Sequence, residues 1–380
     1  MQQPCIGGFV KQKATCRNEK EASRGRHPMC GQVAKGKAIM TRERYNEGYQ
    51  PTRRVRSEGR HMQGFDTGHS DHPVRGGRRA SYDDKPEYLL NQGAHESLSQ
   101  LSDGGEKEEN RCCRHIIVCG DDFGMNPSID AGMFQLAQLG RLNAISCLTE
   151  GPTFARNGKS LRDMAVDVGL HLNLTESFDH QDQLSVLPLP TLITRAYTAQ
   201  LNGSLIDAHI ARQLDAFERV MGCAPDYVDG HQHVHQLPGV LPRLLDALTE
   251  RYGDHRPWLR YTAPGMQTGI PLNDSAKAHV IGALGSGAIA RAAQHEGWRT
   301  NRRLLGVYGL QGGARHYAKL LHQWLSNARD GDLLMCHPAV AGTGDKLACQ
   351  RAAEFDVLAR TDLSDWMHQN GVQLGRPSWQ

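Results

Sequence analysis

The sequence lacks the cysteine pairs, long apolar runs and glycine-rich phosphate loops that mark several common protein classes. Its ten cysteines include no CxxC pair, which argues against a zinc ribbon and a thioredoxin-like site. A disulfide framework is not expected in a chain of 380 residues. We interpret the cysteines as buried free thiols in a reducing compartment.

Membrane segments and nucleotide-binding loops are also missing from the sequence. No stretch approaches 18 consecutive apolar residues, so no membrane span and no membrane partner are predicted. The first ten residues hold no apolar run long enough for a signal peptide, and we expect a cytoplasmic protein. Neither GxGxxG nor GxxxxGK[ST] follows the first predicted strand, which argues against a dinucleotide or P-loop site.

Positive charge is concentrated in the front third of the chain. Residues 1–113 contain 20 Lys and Arg against 15 Asp and Glu, whereas the whole chain has 44 against 41. Apolar residues are sparse there and follow no period of 2 or 3.6, so the segment cannot bury enough surface to offset its ordering entropy. We predict that residues 1–113 are a disordered, basic Gly/Arg-rich segment, or a mis-assigned start. Its arginines lack interleaved aromatics, so no nucleic-acid partner is expected.

From residue 114 onward, strand-like and helix-like stretches alternate. Seven such pairs predict a distorted or incomplete (β/α) TIM-like barrel over residues 114–380, with a doubly wound open sheet as the alternative. An irregular stretch at 176–190 is long enough to suggest a functional loop. The predicted strands are 115–119, 144–148, 168–174, 227–230, 258–262, 304–308 and 332–336, with a last apolar segment at 372–374. The predicted helices are 127–139, 161–166, 206–221, 240–252, 276–295, 314–328 and 347–359.

The motif GDDFG follows the first predicted strand and contains Asp121 and Asp122. In parallel α/β folds, ligands and chemistry collect at this end of the sheet. Adjacent side chains on extended backbone point in different directions. We therefore expect one aspartate to be a metal ligand and the other a proton-transfer group. The alternative is a loop that only caps the next helix.

Histidines also occur at the carboxyl-terminal ends of three other predicted strands, with His171 on the third strand itself. His171 lies in GLHLNLT, three histidines alternate in DGHQHVH, and His337 lies in CHP. Alternation on extended backbone places His231, His233 and His235 on one face. The alternatives are a hydrogen-bonded core residue for His171 and an exposed His-rich loop for the three others.

Carboxylates and imidazoles at four strand ends are what a hydrolytic metal site requires. Neutral imidazole and carboxylate suit Zn²⁺ and other divalent ions, with positions left for water and substrate. The ion lowers the pKa of its water and polarises a carbonyl. A nearby carboxylate can accept the proton of that water, and a histidine can protonate a leaving amine.

The four motifs DDFG, GLHLNLT, DGHQHVH and CHP, in this order, resemble the YdjC-like (ChbG/HpnK) carbohydrate deacetylases. The resemblance covers roughly residues 114–374. It implies a distorted (β/α) barrel related to the NodB-like polysaccharide deacetylases and one divalent ion, Mg²⁺ or Zn²⁺. It also implies hydrolysis of the acetamide of an N-acetylated sugar or oligosaccharide, with release of acetate. One departure is Gly120, where relatives often have alanine.

The resemblance also assigns roles to individual residues. Asp122, His171 and His231 would be the metal ligands. Asp121 would be the general base toward the activated water. His337 is the candidate general acid.

Three further residues and two rival functions complete the expectations. His233 and His235 would tune the site or contact sugar. Arg260 resembles the arginine that steadies the base in the wider superfamily, with an ordinary strand-end arginine as the alternative. One rival is a barrel glycoside hydrolase that uses Asp121 and Asp229, and the other is a non-catalytic sugar-binding barrel. A homo-oligomer is possible.

Overall fold

The computed structural model describes residues 113–178, 186–342 and 344–376. In these ranges, short parallel strands alternate with helices. The strands are β1 Arg114–Phe123, β2 Ala144–Cys147, β3 Asp167–Leu172, β4 Tyr227–Gly230, β5 Trp258–Leu259, β6 Leu304–Leu305, β7 Leu333–Cys336 and β8 Val372–Leu374.

Ten α-helices of the described residues surround the sheet. They are α1 Pro127–Gln138, α2 Phe154–Asn157, α3 Leu189–Tyr197, α4 Gly203–Met221, α5 Leu241–Tyr252, α6 Leu272–Ala283, α7 Ser286–Glu296, α8 Gly313–Asn327, α9 Ala348–Leu358 and α10 Leu363–Gln369. Three 3-10 helices lie at Gly158–Asp163, His231–Gln236 and Gly253–His255.

The sheet curls into a distorted, partly closed barrel. Its strand order is β5-β4-β3-β2-β1-β7-β6, and β8 pairs with the start of β1. All of these pairings are parallel. Within the described ranges, the two edges meet through isolated parallel bridges, from Leu259 to Thr300 and from Pro264 to Leu304. The order has no reversal point, so the predicted barrel is confirmed and the doubly wound alternative is wrong.

Continuous burial explains the apolar strands, and periodic burial explains the helices around them. Every residue of β2, β3 and β7 is buried, as expected for parallel strands covered on both faces. Along α4, Ile206, Ile210, Leu214 and Phe217 are buried at helical spacing and pack toward the sheet. This framework brings the carboxyl ends of the strands to one end of the barrel.

Several predicted elements differ from the observed ones. The helix predicted at 161–166 is wrong, because α2 and a 3-10 helix occupy residues 154–163. The helix predicted at 276–295 is two helices, separated at Gly285, which has a φ of 157° and lies against the carbonyl of Gln236. Strands β5 and β6 have two residues each, and α3 and α10 were not predicted.

The predictions for the front of the chain lie outside the described residues. Residues 1–112 are not among them, so their disorder stays a prediction. Among the helices of the described ranges, none combines the length and apolar character needed to cross a bilayer.

Candidate metal centre

The two aspartates lie within the last residues of β1, which extends four residues beyond its predicted end. The pairing with β2 shifts register between Gly120 and Phe123, which is a β-bulge. Asp122 has a φ of 78°, a left-handed conformation that costs energy for a residue other than glycine. The bulge and this conformation turn Asp121 and Asp122 toward different partners.

Asp122 contacts two histidines, which lie at the ends of the adjacent strands β3 and β4. Its Oδ1 lies 2.9 Å from Nδ1 of His231 and 3.5 Å from Nε2 of His171. One ligand atom from each of the three residues lies within 4.8 Å of the other two. The structure therefore brings together the three residues that the resemblance implies as metal ligands.

A buried carboxylate orients His171. Nδ1 of His171 lies 2.6 Å from Oδ1 of Asp229, so the opposite ring nitrogen faces Asp122. Burial alone would lower the pKa of His171, but the Asp229 charge and the Asp122 hydrogen bond raise it to about 10. A carboxylate behind a histidine is the usual support of a metal-binding imidazole. Two such nitrogens and a carboxylate oxygen fit Zn²⁺ or another divalent first-row ion.

Asp121 is paired with Arg260. Nη1 and Nη2 of Arg260 each donate to one carboxylate oxygen of Asp121 at 2.6 Å, and Nη2 also lies 2.5 Å from Asp229. Arg260 is fully buried. Burial alone would raise the pKa of Asp121, but the charge and hydrogen bonds of Arg260 lower it below its usual value. Asp121 is therefore ionised at neutral pH.

Asp229 has no side-chain oxygen left for a substrate. Its Oδ2 accepts a hydrogen bond from Ser146 at 2.5 Å and contacts Arg260, while Oδ1 contacts His171. The residue is 0% exposed.

The three alternating histidines do not share one face. His231–Gln236 is a 3-10 turn in which Gln232 and His233 have positive φ, so the extended backbone behind that prediction is wrong. His235 is fully buried, and its Nε2 donates to the Arg260 carbonyl at 2.9 Å. Burial lowers the pKa of His233, whose Nδ1 has no hydrogen-bond partner among the described residues.

His337 follows β7 at the same end of the barrel. Its backbone N–H donates to Oε2 of Glu354 at 2.5 Å. Burial lowers the pKa of its imidazole to about 4, although Asp121 and Asp122 act in the opposite direction. Burial therefore favours the neutral form of the His337 imidazole.

Sequence reasoning missed two charged residues on α9 and the supporting role of Asp229. Arg351 donates to Oδ2 of Asp122 at 2.6 Å, and Glu354 accepts from His337. Both α9 residues are buried, and the other buried residues of the helix are Gln350, Ala353, Val357 and Leu358. Two charges on the apolar face of a helix are the signal that could have found them.

Fold and site together define a class of protein: a parallel-stranded barrel with a candidate divalent-metal centre at the carboxyl ends of its strands. A family profile described as "YdjC-like protein" matches residues 115–369. The chain belongs to this family, and the family expected from its motifs is confirmed.

Similar proteins carry deacetylase names. A carbohydrate deacetylase of Mus musculus is 28% identical over 293 residues, covering 68% of this chain and 92% of its own. A chitooligosaccharide deacetylase of Enterobacter sp. (strain 638) is 23% identical over 274 residues, covering 68% and 96%. A candidate cellobiose-phosphate cleavage protein of Enterococcus faecalis V583 matches in structure with a TM-score of 0.51 and 19% identity, covering 70% and 97%. That last likeness supports the fold.

Proposed function

We propose that this chain is a metal-dependent deacetylase that hydrolyses the acetamide of an N-acetylated sugar or oligosaccharide and releases acetate. The observation that carries the proposal is the trio of Asp122, His171 and His231 beside a separate carboxylate, Asp121. Membership of the YdjC-like family and the deacetylase names of its relatives support the hydrolase class.

The trio would hold one divalent ion, Mg²⁺ or Zn²⁺. Imidazole nitrogens favour Zn²⁺ among these two, since Mg²⁺ prefers oxygen ligands. Such an ion, when bound, lowers the pKa of a water molecule and polarises the acetamide carbonyl. Asp229 fixes the ring of His171 so that Nε2 is on the side of Asp122, where it would be available to the ion.

Asp121 is the proposed general base. Its carboxylate is ionised and its orientation is fixed by two hydrogen bonds from Arg260. An ionised carboxylate at this position can accept the proton of the attacking water. His235 supports the arrangement from behind, because its ring holds the carbonyl of Arg260.

His337 is the proposed general acid for the leaving amine. Because burial keeps its imidazole neutral at neutral pH, His337 has to gain a proton within the catalytic cycle before it donates, and the proton that Asp121 accepts from the attacking water would be its source. We propose that His233 contacts the sugar or takes part in proton transfer. Its buried Nδ1 has no hydrogen-bond partner among the described residues.

The two rival functions make different demands on the site. A glycoside hydrolase needs two carboxylates that flank the sugar, but Asp229 is fully buried and both of its oxygens are occupied. A sugar-binding barrel without turnover needs no base, whereas Asp121 is held in an ionised state beside the trio. We therefore favour the deacetylase.

The test measures acetate released by the intact chain from N-acetylglucosamine oligomers of increasing length and from other acetylated glycans. The protein is first treated with a chelator and then reloaded with Zn²⁺ or Mg²⁺ in separate samples. We expect acetate only from reloaded samples, and on the order of 10²–10⁴-fold slower release from an Asp121→Asn variant carrying the same metal. Cleavage of glycosidic bonds would establish the hydrolase rival, and sugar binding without acetate release would establish the binding barrel. The cytoplasmic location stays a prediction.

A further inference from the structure

The second carboxylate oxygen of Asp122 is held from the opposite side by α9. Oδ2 accepts a hydrogen bond from Nη2 of Arg351 at 2.6 Å, while Oδ1 faces His171 and His231. The two partners are 229 positions apart in sequence. Arg351 is only 3% exposed, so its charge is buried beside the site.

Arg351 is itself held by a second carboxylate. Its Nε donates to Oδ2 of Asp345 at 3.0 Å, and Oδ1 of Asp345 accepts from the backbone N–H of Leu347 at 2.8 Å. The result is a continuous connection from the start of α9 through Asp345 and Arg351 to Asp122. A planar guanidinium can hold two carboxylates at fixed angles in this way, whereas an ammonium group cannot.

We infer that Arg351 is a positioning residue for the metal centre: it occupies Oδ2 of Asp122 so that only Oδ1 is offered to the ion. The inference rests on the proposed function. A free carboxylate can bind an ion through one oxygen or both. With Oδ2 occupied, Asp122 contributes one ligand atom, which leaves positions open for water and substrate as a catalytic site requires.

The direction in which metal affinity changes when Arg351 is replaced distinguishes a positioning role from a purely electrostatic one. A positive side chain near a divalent ion repels it, so removing Arg351 by charge alone would strengthen metal binding. Loss of an outer partner that orients a ligand weakens metal binding instead, typically by roughly 10–100-fold. Weaker metal binding by Arg351→Gln would therefore show that Arg351 acts by orienting Asp122.

The test measures Zn²⁺ binding to chelator-treated full-length protein by calorimetry, with thermal unfolding of the metal-free samples as a folding check. We expect Arg351→Gln to bind roughly 10–100-fold more weakly. Arg351→Lys keeps the charge but cannot hold both carboxylates, so we expect it to bind more weakly than wild type as well. Arg360→Gln, which breaks an exposed ion pair with Asp362 just after α9, is the matched control and should bind as wild type does.

Asp345→Asn provides a second variant that does not touch the metal ligands. It should weaken binding less than Arg351→Gln, and the double variant should bind about as weakly as Arg351→Gln alone, because both changes break one connection. Wild-type affinity in a folded Arg351→Gln protein would overturn the inference, as would tighter binding. If Arg351→Gln does not fold, wild-type affinity in both Arg351→Lys and Asp345→Asn overturns it. Absence of Zn²⁺ binding by wild type would instead refute the proposed metal site.

Discussion

Asp121 and Asp122 are adjacent and yet have separate environments. Asp121 is paired with Arg260, whereas Asp122 contacts two histidines and Arg351. Regular alternation would send adjacent side chains to opposite faces, and the bulge at the end of β1 changes those directions so that both aspartates lie at the site. A pair of identical residues can thus provide one ligand and one base.

The ligand and base roles can be separated by substitution. We expect His171→Ala and His231→Ala to lose bound metal severely, because two of three protein ligands hold an ion poorly. Asp121→Asn should keep its metal and lose activity by on the order of 10²–10⁴. Metal content by mass spectrometry and acetate release on the same samples provide the measurement. Equal metal loss in all three variants would contradict the role of Asp121.

The role of His337 calls for a different comparison. We expect His337→Ala to keep its metal and its substrate affinity within a few-fold while kcat falls on the order of 10²–10⁴, as for the loss of a general acid. Added imidazole should restore part of kcat, since it supplies the missing proton donor. Because the pKa of His337 is about 4, no alkaline limb near pH 6.5 should belong to it. A variant with full kcat would move the acid role to another group, with His233 as the next candidate.

At the level of elements, α9 supports both sides of the site. Arg351 and Glu354 are three positions apart, and both are buried on the face toward the barrel. Arg351 contacts the ligand Asp122, and Glu354 accepts from the backbone of His337 and from the hydroxyl of Tyr308. One helix thus couples the metal ligand on β1 to the loop that follows β7.

Glu354 should make the stability of the protein depend on pH. Burial raises its pKa from 4.5 to about 7, against the hydrogen bond from Tyr308. Between these values the folded state keeps a proton that the unfolded chain releases, so the free energy of unfolding falls as pH rises through this window. The shift corresponds to about 3 kcal/mol at most. Denaturant unfolding at pH 5 and pH 8 should show this fall in wild type and a smaller one in Glu354→Gln. An equal fall in both proteins would show that Glu354 does not cause it.

At the scale of the whole molecule, the start of β1 is tied to the far end of the barrel chain. The Arg114 guanidinium donates to the carbonyls of Ala328 and Asn370, which joins the start of β1 to the ends of α8 and α10. The first strand of the barrel is thus held in place by contacts with other residues of the barrel.

Removal of residues 1–113 should therefore spare the barrel. We expect a chain that begins at Arg114 to stay folded, bind its metal and release acetate at a rate close to that of the full chain. Its melting temperature, metal content and acetate release would be compared with those of the full chain. Aggregation or loss of metal in the shortened chain would show that the front segment packs on the barrel.

Local patterns in the sequence were sufficient for most of the strands and for the barrel class, whereas the three candidate ligands came from the resemblance of four motifs to a known family. Buried parallel strands are continuous apolar runs, and polar motifs at their ends mark one end of the barrel. Such patterns fail where the backbone departs from regular geometry, as in the 3-10 turn that carries His233 and His235. They fail as well for β5 and β6, which have only two residues each.

Contacts across the barrel were decided by the tertiary structure. Asp121 and Arg260 are 139 positions apart, and Asp122 and Arg351 are 229 apart. No periodicity links such positions, because only the closing of the sheet and the packing of α9 bring them within hydrogen-bond distance. The sequence alone determined which residues could do chemistry here. The fold determined which carboxylate is paired with an arginine, which histidine is backed by Asp229, and which pKa values burial and neighbouring charges shift.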